Sequence, residues 1–76
     1  MNKVRRKEIN KAYNLIYEAK EILERAAEEE HEYFDIMPET LQDSKKASAA
    51  VEAADALDEA VSGLEEVLTS CEAAVQ

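Results

Sequence analysis

The amino-acid sequence predicts an all-α protein, an antiparallel helical hairpin that associates into a four-helix bundle or a higher oligomer. Composition is the first reason: the 76 residues include one glycine, one proline and many Ala, Glu and Leu residues, which favour helices over sheets. The second reason is that two long segments carry apolar residues at helical spacing. The third is the short segment around Pro38 that separates them. We therefore predict a single domain, residues 1–76.

The first helix is predicted from about residue 2 to residue 34. Its large apolar residues recur every seven positions, each followed three residues later by an alanine: Ile9, Ala12, Ile16, Ala19, Leu23 and Ala26. Leu15 and Ile22 widen this stripe. Residues three, four and seven apart lie on one side of a helix, so the stripe is predicted to pack against the second helix.

Residues 35–43 are predicted to form the turn. Pro38 lacks the backbone N–H that a helix interior uses, and it disfavours helical geometry at Met37. Asp43 or Ser44 can then cap a second helix. Two segments of matching length on either side of a short turn are typical of a helical hairpin.

The second helix is predicted from about residue 44 to residue 75. Small and aliphatic residues alternate at steps of three and four along one seam: Ala54, Leu57, Val61, Leu64, Leu68, Cys71 and Val75. Two further lines of weakly polar residues repeat every seven positions: Ala53, Ala60, Val67 and Ala74, and Ala49, Ala56, Gly63 and Ser70. Such a wide face indicates more than one helical neighbour, hence a homo-oligomer. The alternative is an alanine-rich face in solvent.

Charge favours the antiparallel arrangement. Residues 3–11 include five basic side chains and residues 28–32 include four acidic ones, the reverse of what the helix macrodipole favours. An antiparallel second helix brings Glu65, Glu66 and Glu72 beside the basic end, and Lys45 and Lys46 beside the acidic end. The net charge of −9 argues against binding of duplex DNA and favours a basic or neutral partner.

The lone cysteine and the lengths of the apolar stretches indicate whether a disulfide bond or membrane association is expected. Cys71 cannot form an intramolecular disulfide and is expected as a buried thiol on the seam. No signal-peptide core and no apolar stretch of about 18 residues is found, so no membrane association is expected.

A search for catalytic motifs finds one weak match. Glu28 and His31 have the Glu-x-x-His spacing of di-iron four-helix bundles, but they point away from the inner line of the first helix, whereas metal ligands must project inward. No nucleophile is paired with a base, and no glycine-rich phosphate loop is present. We therefore expect no enzyme activity, no metal site and no cofactor.

Two surface features are candidate binding sites. The first is a polar stripe on one side of the first helix: Lys3, Arg6, Asn10, Tyr13, Tyr17 and Lys20. These side chains could hold a small anionic, nucleotide-like ligand between protomers, or they could pair with acidic residues of another protomer. The second feature is the apolar turn, with Tyr33, Phe34, Ile36, Met37 and Leu41. It either caps the core or forms a tip for a partner protein.

The turn also carries a resemblance. Residues 33–44, YFDIMPETLQDS, follow an acidic run and precede an alanine-rich heptad helix, and in this they resemble a family of small, mostly uncharacterised helical proteins of bacterial and bacteriophage genomes. The resemblance implies a phage or mobile-element setting in the cytoplasm of a bacterial host, where small acidic proteins often block host defence by binding.

These observations predict a non-enzymatic, acidic helical protein that self-associates and binds a partner protein, and the resemblance implies that it acts in the manner of a phage inhibitor of host defence. A small-ligand sponge that uses Arg6, Tyr13, Tyr17 and Lys20 is the first alternative. A purely structural oligomerisation module is the second.

Overall fold

The computed structural model describes residues 1–76 and shows two long α-helices joined by a short turn. Helix α1 is Lys3–Asp35 and helix α2 is Lys45–Val75, with one 3₁₀ turn, Glu39–Leu41, between them. The helices pack side by side into a rod of 59 × 14 × 14 Å. The predicted hairpin is confirmed, and each predicted helix boundary lies within about a residue of the observed one.

Side-chain caps define where both helices begin. The Oδ1 atom of Asn2 accepts a hydrogen bond of 2.7 Å from the backbone N–H of Arg5. The hydroxyl of Ser44 accepts one of 3.3 Å from the backbone N–H of Ala47, so Ser44 rather than Asp43 caps α2. Each cap satisfies a backbone donor that has no partner within its own helix.

The turn stops α1 just ahead of the proline, as predicted. The backbone N–H of Ile36 donates to Glu32 O, which is the last helical bond, and Pro38 then takes extended geometry with φ −57° and ψ 144°. The side-chain amide of Gln42 donates to the backbone carbonyl of Met37 over 3.2 Å. This bond fastens the two sides of the turn to each other.

The inner seam of α2 is the one that the sequence predicts. Every residue of the predicted seam, from Ala54 to Val75, is buried or half-buried, and Leu68 is its most deeply buried large side chain. The seam continues toward the turn through Ala47 and Ala50, which are both buried. Three of the four buried residues of α2 are alanines, so the two helices approach closely but enclose little apolar volume.

The inner face of α1 differs from the prediction in its small residues. Ile9, Ile16 and Leu23 are half-buried as predicted, but Ala12 and Ala19 are exposed. The remaining inner positions instead lie four residues after each of these large residues. They are Tyr13, Lys20 and Ala27. The aromatic ring and the aliphatic stem of the lysine cover more apolar surface than the alanine methyl groups, so α2 packs on that side of α1. Leu15 and Ile22 also stay outside the hairpin.

At the end opposite the turn, α1 extends further than α2. All residues before Ile9 are exposed, because α2 ends at Val75, and Ile9 shares a groove with Cys71 and Ala74 near that end. We call residues 3–8 the basic overhang, since four of these six residues are Lys or Arg. Neither helix has an apolar stretch long enough to span a bilayer.

Candidate functional site

One side of the hairpin is apolar along its length, and we call it the apolar face. Its α1 members step by three and four along the helix, apart from the charged position 29: Ala12, Leu15, Ala19, Ile22, Ala26 and Tyr33. Its α2 members step in the same way: Ala49, Ala53, Ala56, Ala60, Gly63, Val67, Ser70 and Ala74. These are a second heptad seam on each helix, adjacent to the seam inside the hairpin.

A shallow groove near the turn shows that both lines of residues lie on the same side, and a second groove places Ile9 of the inner stripe of α1 beside the α2 line. Near the turn, Tyr33 of α1 lines a groove together with Ala49 and Ala53 of α2. At the other end, Ile9 lines a groove together with Gly63 and Val67. In an antiparallel pair, equivalent flanking positions of the two helices meet on one side, which is the geometry observed here.

Large side chains on this face are open to solvent. Leu15 is 58% exposed, Ile22 is 52% exposed and Val67 is 43% exposed. A Cβ atom placed on Gly63 would meet no other atom within 4 Å. The hairpin itself therefore gives no reason for a glycine there, although glycine costs about 1 kcal/mol relative to alanine inside a helix.

The opposite side of the hairpin is polar and acidic. Glu24 and Glu28 of α1 and Asp58 of α2 line a groove that also contains His31. The Nε2 atom of His31 lies 2.9 Å from a carboxylate oxygen of Asp58. This hydrogen bond raises the pKa of His31 above its ordinary value of 6.5, and the nearby carboxylates of Asp35 and Asp55 add to the effect.

The Glu28 and His31 pair faces solvent, as the sequence predicts. Both side chains are exposed on the acidic side rather than inside the hairpin. No group of three or more His, Cys, Asp or Glu side chains comes together in a way that could hold a metal ion. His31 instead uses its contact with Asp58 to connect the two helices.

The predicted polar stripe is divided between the interior and the surface. Tyr13 and Lys20 are half-buried at inner positions, whereas Arg6, Asn10 and Tyr17 are exposed. The hydroxyl of Tyr13 donates a hydrogen bond of 2.8 Å to Glu72, and this contact raises the pKa of the phenol. The phenol is thereby tied to α2, and the side chains of the stripe do not form one open site.

Lys20 is also occupied by neighbours from its own helix. Its ammonium lies 3.3 Å from Glu24 and 5.2 Å from the centre of the Tyr17 ring. The hydrogen bond to Glu24 raises the pKa of Lys20. The Tyr13 and Tyr17 rings stack at a centroid distance of 6.5 Å. The Tyr13 hydroxyl already contacts Glu72, and the Lys20 ammonium already contacts Glu24. An anionic ligand would have to compete with these two carboxylates.

The apolar side chains of the turn divide into two groups. Phe34 and Met37 are half-buried, and Phe34 lines a narrow cleft with Ala50 and Ala54. This half-buried position is compatible with a cap on the core, one of the two roles that the sequence leaves open. Ile36 and Leu41 point outward, and Ile36 is 72% exposed. Leu41 is therefore the one candidate binding residue of the turn that is exposed at the tip, and Ile36 is exposed beside it.

The sequence predicts the α1 residues of the apolar face, apart from Tyr33, on the inner stripe of the hairpin, and it does not identify the basic overhang. Leu15 and Ile22 could have been recognised, because together with Ala12, Ala19 and Ala26 they form a complete seam at steps of three and four. Cys71 is half-buried rather than fully buried, because it lies at the edge of the seam beside the groove lined by Ile9. No protein-family model, curated protein or solved structure matches this chain.

Proposed function

We propose that this chain is a non-enzymatic helical protein that self-associates through its apolar face and binds a partner protein with its turn. The observation that carries the first half of this proposal is the imbalance between the small interior of the hairpin and its large exposed apolar face. Only five residues are buried, and four of them are alanines. A chain of this size without disulfides or metal needs further apolar burial to outweigh its conformational entropy.

The solvent-accessible surface area of the chain gives a numerical measure of this excess of exposed surface over buried interior. The chain exposes 5892 Å². A globular monomer of this mass exposes about 4,700 Å², so the hairpin shows roughly 1,200 Å² more than expected. A stable interface of standard size buries about 800 Å² on each partner. The excess area is therefore large enough for one interface along the apolar face.

The second half of the proposal concerns the tip formed by Ile36 and Leu41. These exposed aliphatic side chains sit at the end of a rod, and exposed carboxylates lie within a few residues of them in the chain: Glu32, Asp35 and Glu39. An apolar centre with a charged rim is typical of protein-binding surfaces. The acidic rim favours a partner with basic side chains around an apolar pocket. The resemblance of the turn to small phage proteins supports a role as an inhibitor that blocks a host defence protein.

Sedimentation equilibrium over a concentration series tests self-association. Val67→Glu places a charge on the apolar face, and Val51→Glu is a matched control, because Val51 is the same residue type on the same helix with similar exposure, 40% against 43%, but lies on the side of His31. The proposal expects an oligomer for the natural chain and for Val51→Glu, and dissociation for Val67→Glu. A folded monomer at every concentration would contradict it.

Capture from a bacterial lysate tests the binding tip. Ile36→Ser and Leu41→Ser should each abolish retention of a partner that the natural chain retains. Tyr17→Ser is the control, since Tyr17 is also exposed but lies far from the turn. Equal retention by all three variants would show that the tip is not the binding surface.

A further inference from the structure

The exposed apolar side chains of α1 follow a symmetric pattern. Within α1 and the residues next to it, six of the seven exposed large apolar residues form pairs that are equally distant from the midpoint between residues 18 and 19. The pairs are Leu15 with Ile22, Val4 with Tyr33, and Met1 with Ile36. Only Tyr17, which lies on another side of the helix, falls outside the pattern. A sequence pattern of this kind is self-complementary when two copies of the helix run antiparallel.

Charges follow the same symmetry with opposite sign. Arg5 and Glu32 are equally distant from the same midpoint, as are Lys7 and Glu30. Two antiparallel copies of α1 therefore bring the basic overhang of each beside the acidic end of the other. Two like-charged pairs depart from this pattern, Glu8 with Glu29 and Arg6 with the protonated form of His31. Each has an oppositely charged neighbour in the chain, since Lys7 is next to Glu8 and Glu30 is next to His31. The reversed charge order of α1, which its own macrodipole disfavours, is accounted for by this pairing.

We propose that the occupant of the apolar face is a second copy of this chain, with the two α1 helices antiparallel, the turns at opposite ends, and a two-fold axis between residues 18 and 19. This arrangement rests on the self-association proposed above and specifies its geometry. Leu15 of each copy packs against Ile22 of the other, and Val4 packs against Tyr33. The result is a four-helix bundle in which each helix is antiparallel to both of its neighbours.

Helix α2 fits the same axis. The contacts Tyr13–Glu72 and His31–Asp58 fix which parts of the two helices are level, and they place the midpoint of α1 level with residues 66–71 of α2. Val67 lies in this segment and faces the same side. Around it the residues of the apolar face are small on both sides: Ala60 and Gly63 before it, and Ser70 and Ala74 after it. Two α2 helices can therefore approach closely about this axis, and the missing side chain at Gly63 favours this close approach.

The overhang and the groove near the turn complete the fit. Residues 3–8 extend past α2 of their own hairpin, and they carry Val4, which is 70% exposed. In the antiparallel pair, the overhang of one copy reaches the groove that Tyr33, Ala49 and Ala53 line in the other. Glu30 also lines that groove and is the counterpart of Lys7. The structure thus offers a cavity for the one segment of α1 that its own hairpin leaves uncovered.

The competing arrangement has both turns at the same end, with α1 of one copy against α2 of the other. It also covers the apolar face, but it gathers the acidic residues 28–35 and Glu39 of both copies at one end of the bundle. Like charges brought together in this way oppose association. In this arrangement the symmetric pairs of exposed apolar side chains on α1 would not contact each other.

Distances between spin labels distinguish the two arrangements. Glu18, Arg25 and Glu32 are all exposed on α1, and the labels at positions 18 and 25 replace no residue of the proposed pairs. The label at position 32 removes the carboxylate that pairs with Arg5, so distances are measured at concentrations at which sedimentation shows each labelled variant to be dimeric. Each of the three residues is changed to Cys in a Cys71→Ser background and labelled, and the distance between copies is measured by pulsed electron paramagnetic resonance. For antiparallel helices at 1.5 Å per residue, the separation along the bundle is about 2 Å at position 18, 20 Å at position 25 and 40 Å at position 32.

Three outcomes are possible, and each bears on the proposal. A distance that increases from position 18 to position 32 supports it. Equal distances at the three positions, in a species that sedimentation shows to be a dimer, would overturn this geometry while leaving self-association intact. A monomer in sedimentation would overturn both the geometry and the self-association proposed above.

Charge reversal gives an independent test of the pairing. Arg5→Glu should raise the dissociation constant of the dimer about ten-fold, since it turns two symmetry-related attractions into repulsions and exposed pairs are worth up to about five-fold each. Arg5→Glu combined with Glu32→Arg should restore it. Arg25→Glu is the control, because position 25 faces no charged residue in the proposed pair. A double variant no tighter than Arg5→Glu alone would contradict the pairing.

Discussion

The Nε2 atom of His31 lies 2.9 Å from the carboxylate of Asp58, and this contact joins α1 to α2 on the acidic side of the hairpin. Both side chains are about half exposed, so the pair is open to solvent and to salt. Its partners on the same side are also acidic: Glu24 and Glu28 line the same groove, and Asp55 lies near the histidine. The single histidine therefore stands in a field of carboxylates that favours its protonated form.

The first prediction is that the stability of the hairpin falls as pH rises above about 6.5. The pKa of His31 is higher in the folded chain than its ordinary value, because the protonated ring binds Asp58. A group whose pKa is raised by folding stabilises the fold fully below its unfolded pKa, and this contribution is lost as pH rises through the folded pKa. Thermal unfolding followed by circular dichroism should show the loss as pH rises above about 6.5 and through the higher pKa of the folded His31.

Two variants serve as controls for this pH dependence. His31→Gln should remove the fall in stability as pH rises above about 6.5, since His31 is the single histidine of the chain. Asp58→Asn should lower the pKa of His31, measured from the NMR shifts of the ring protons. An unchanged pKa in Asp58→Asn would show that the contact with Asp58 is not its cause.

The second prediction concerns the small interior. Leu68→Ala should lower the free energy of unfolding by about 2 to 5 kcal/mol, because it opens a cavity at the most buried large side chain of the chain. The measurement is urea unfolding followed at 222 nm. Leu41→Ala is the control, since Leu41 is 51% exposed at the tip and should change stability little. Similar losses for both variants would contradict the burial pattern described above.

The sequence was sufficient for the hairpin, and the reason lies in particular residues. Pro38 excludes a continuous helix, Asn2 and Ser44 are strong caps, and the seam from Ala54 to Val75 has only one consistent register. The inner face of α1 was harder, because Ile9 and Ile16 are compatible with a stripe that continues through Ala12 or through Tyr13. Which of these two stripes faces inward depends on where α2 packs against α1. This is a tertiary contact, and the periodicity of one helix alone does not predict it.

The binding surfaces were predicted less well for a similar reason. Tyr13 and Lys20 share one side of α1 with Arg6, but their partners Glu72 and Glu24 decide whether they are open to a ligand. The contact with Glu72 spans 59 residues of sequence and follows from the register of the hairpin. In the turn, the sequence groups five apolar residues, and the inward Phe34 is separated from the outward Ile36 because α1 continues through Asp35 with a helical cap at Ile36, which places residues two apart on opposite sides.

The third prediction is that metal ions do not contribute to folding. His31 and Glu28 are exposed, and no cluster of three potential ligands exists. Addition of a chelator should leave the unfolding temperature unchanged, and His31→Ala should not alter the iron or zinc content measured by mass spectrometry. Stoichiometric metal that His31→Ala removes would instead point to a site assembled between copies of the chain.

The fourth prediction separates protein binding from the ligand sponge. A nucleotide held by the polar stripe would add strong absorbance near 260 nm to a chain with three Tyr and no Trp. We expect none in the purified protein, since the net charge of −9 repels anions and the phenol of Tyr13 already donates to Glu72. The measurement is the ultraviolet spectrum before and after heating and filtration.

Two variants make this last observation decisive. Neither Arg6→Ala nor Tyr13→Phe should change the absorbance that heating releases, because neither group is expected to hold a ligand. Tyr13→Phe should differ from the natural chain only by the weaker tyrosine absorbance that follows from the loss of one of three Tyr residues. Tyr13→Phe keeps the ring stacked on Tyr17 and removes only the hydroxyl that contacts Glu72, so it tests the polar contact without opening the interior. If heating releases a compound that absorbs at 260 nm, and Arg6→Ala loses it while the oligomer persists in sedimentation, the stripe is a ligand site. The sponge would then be the better account of this chain.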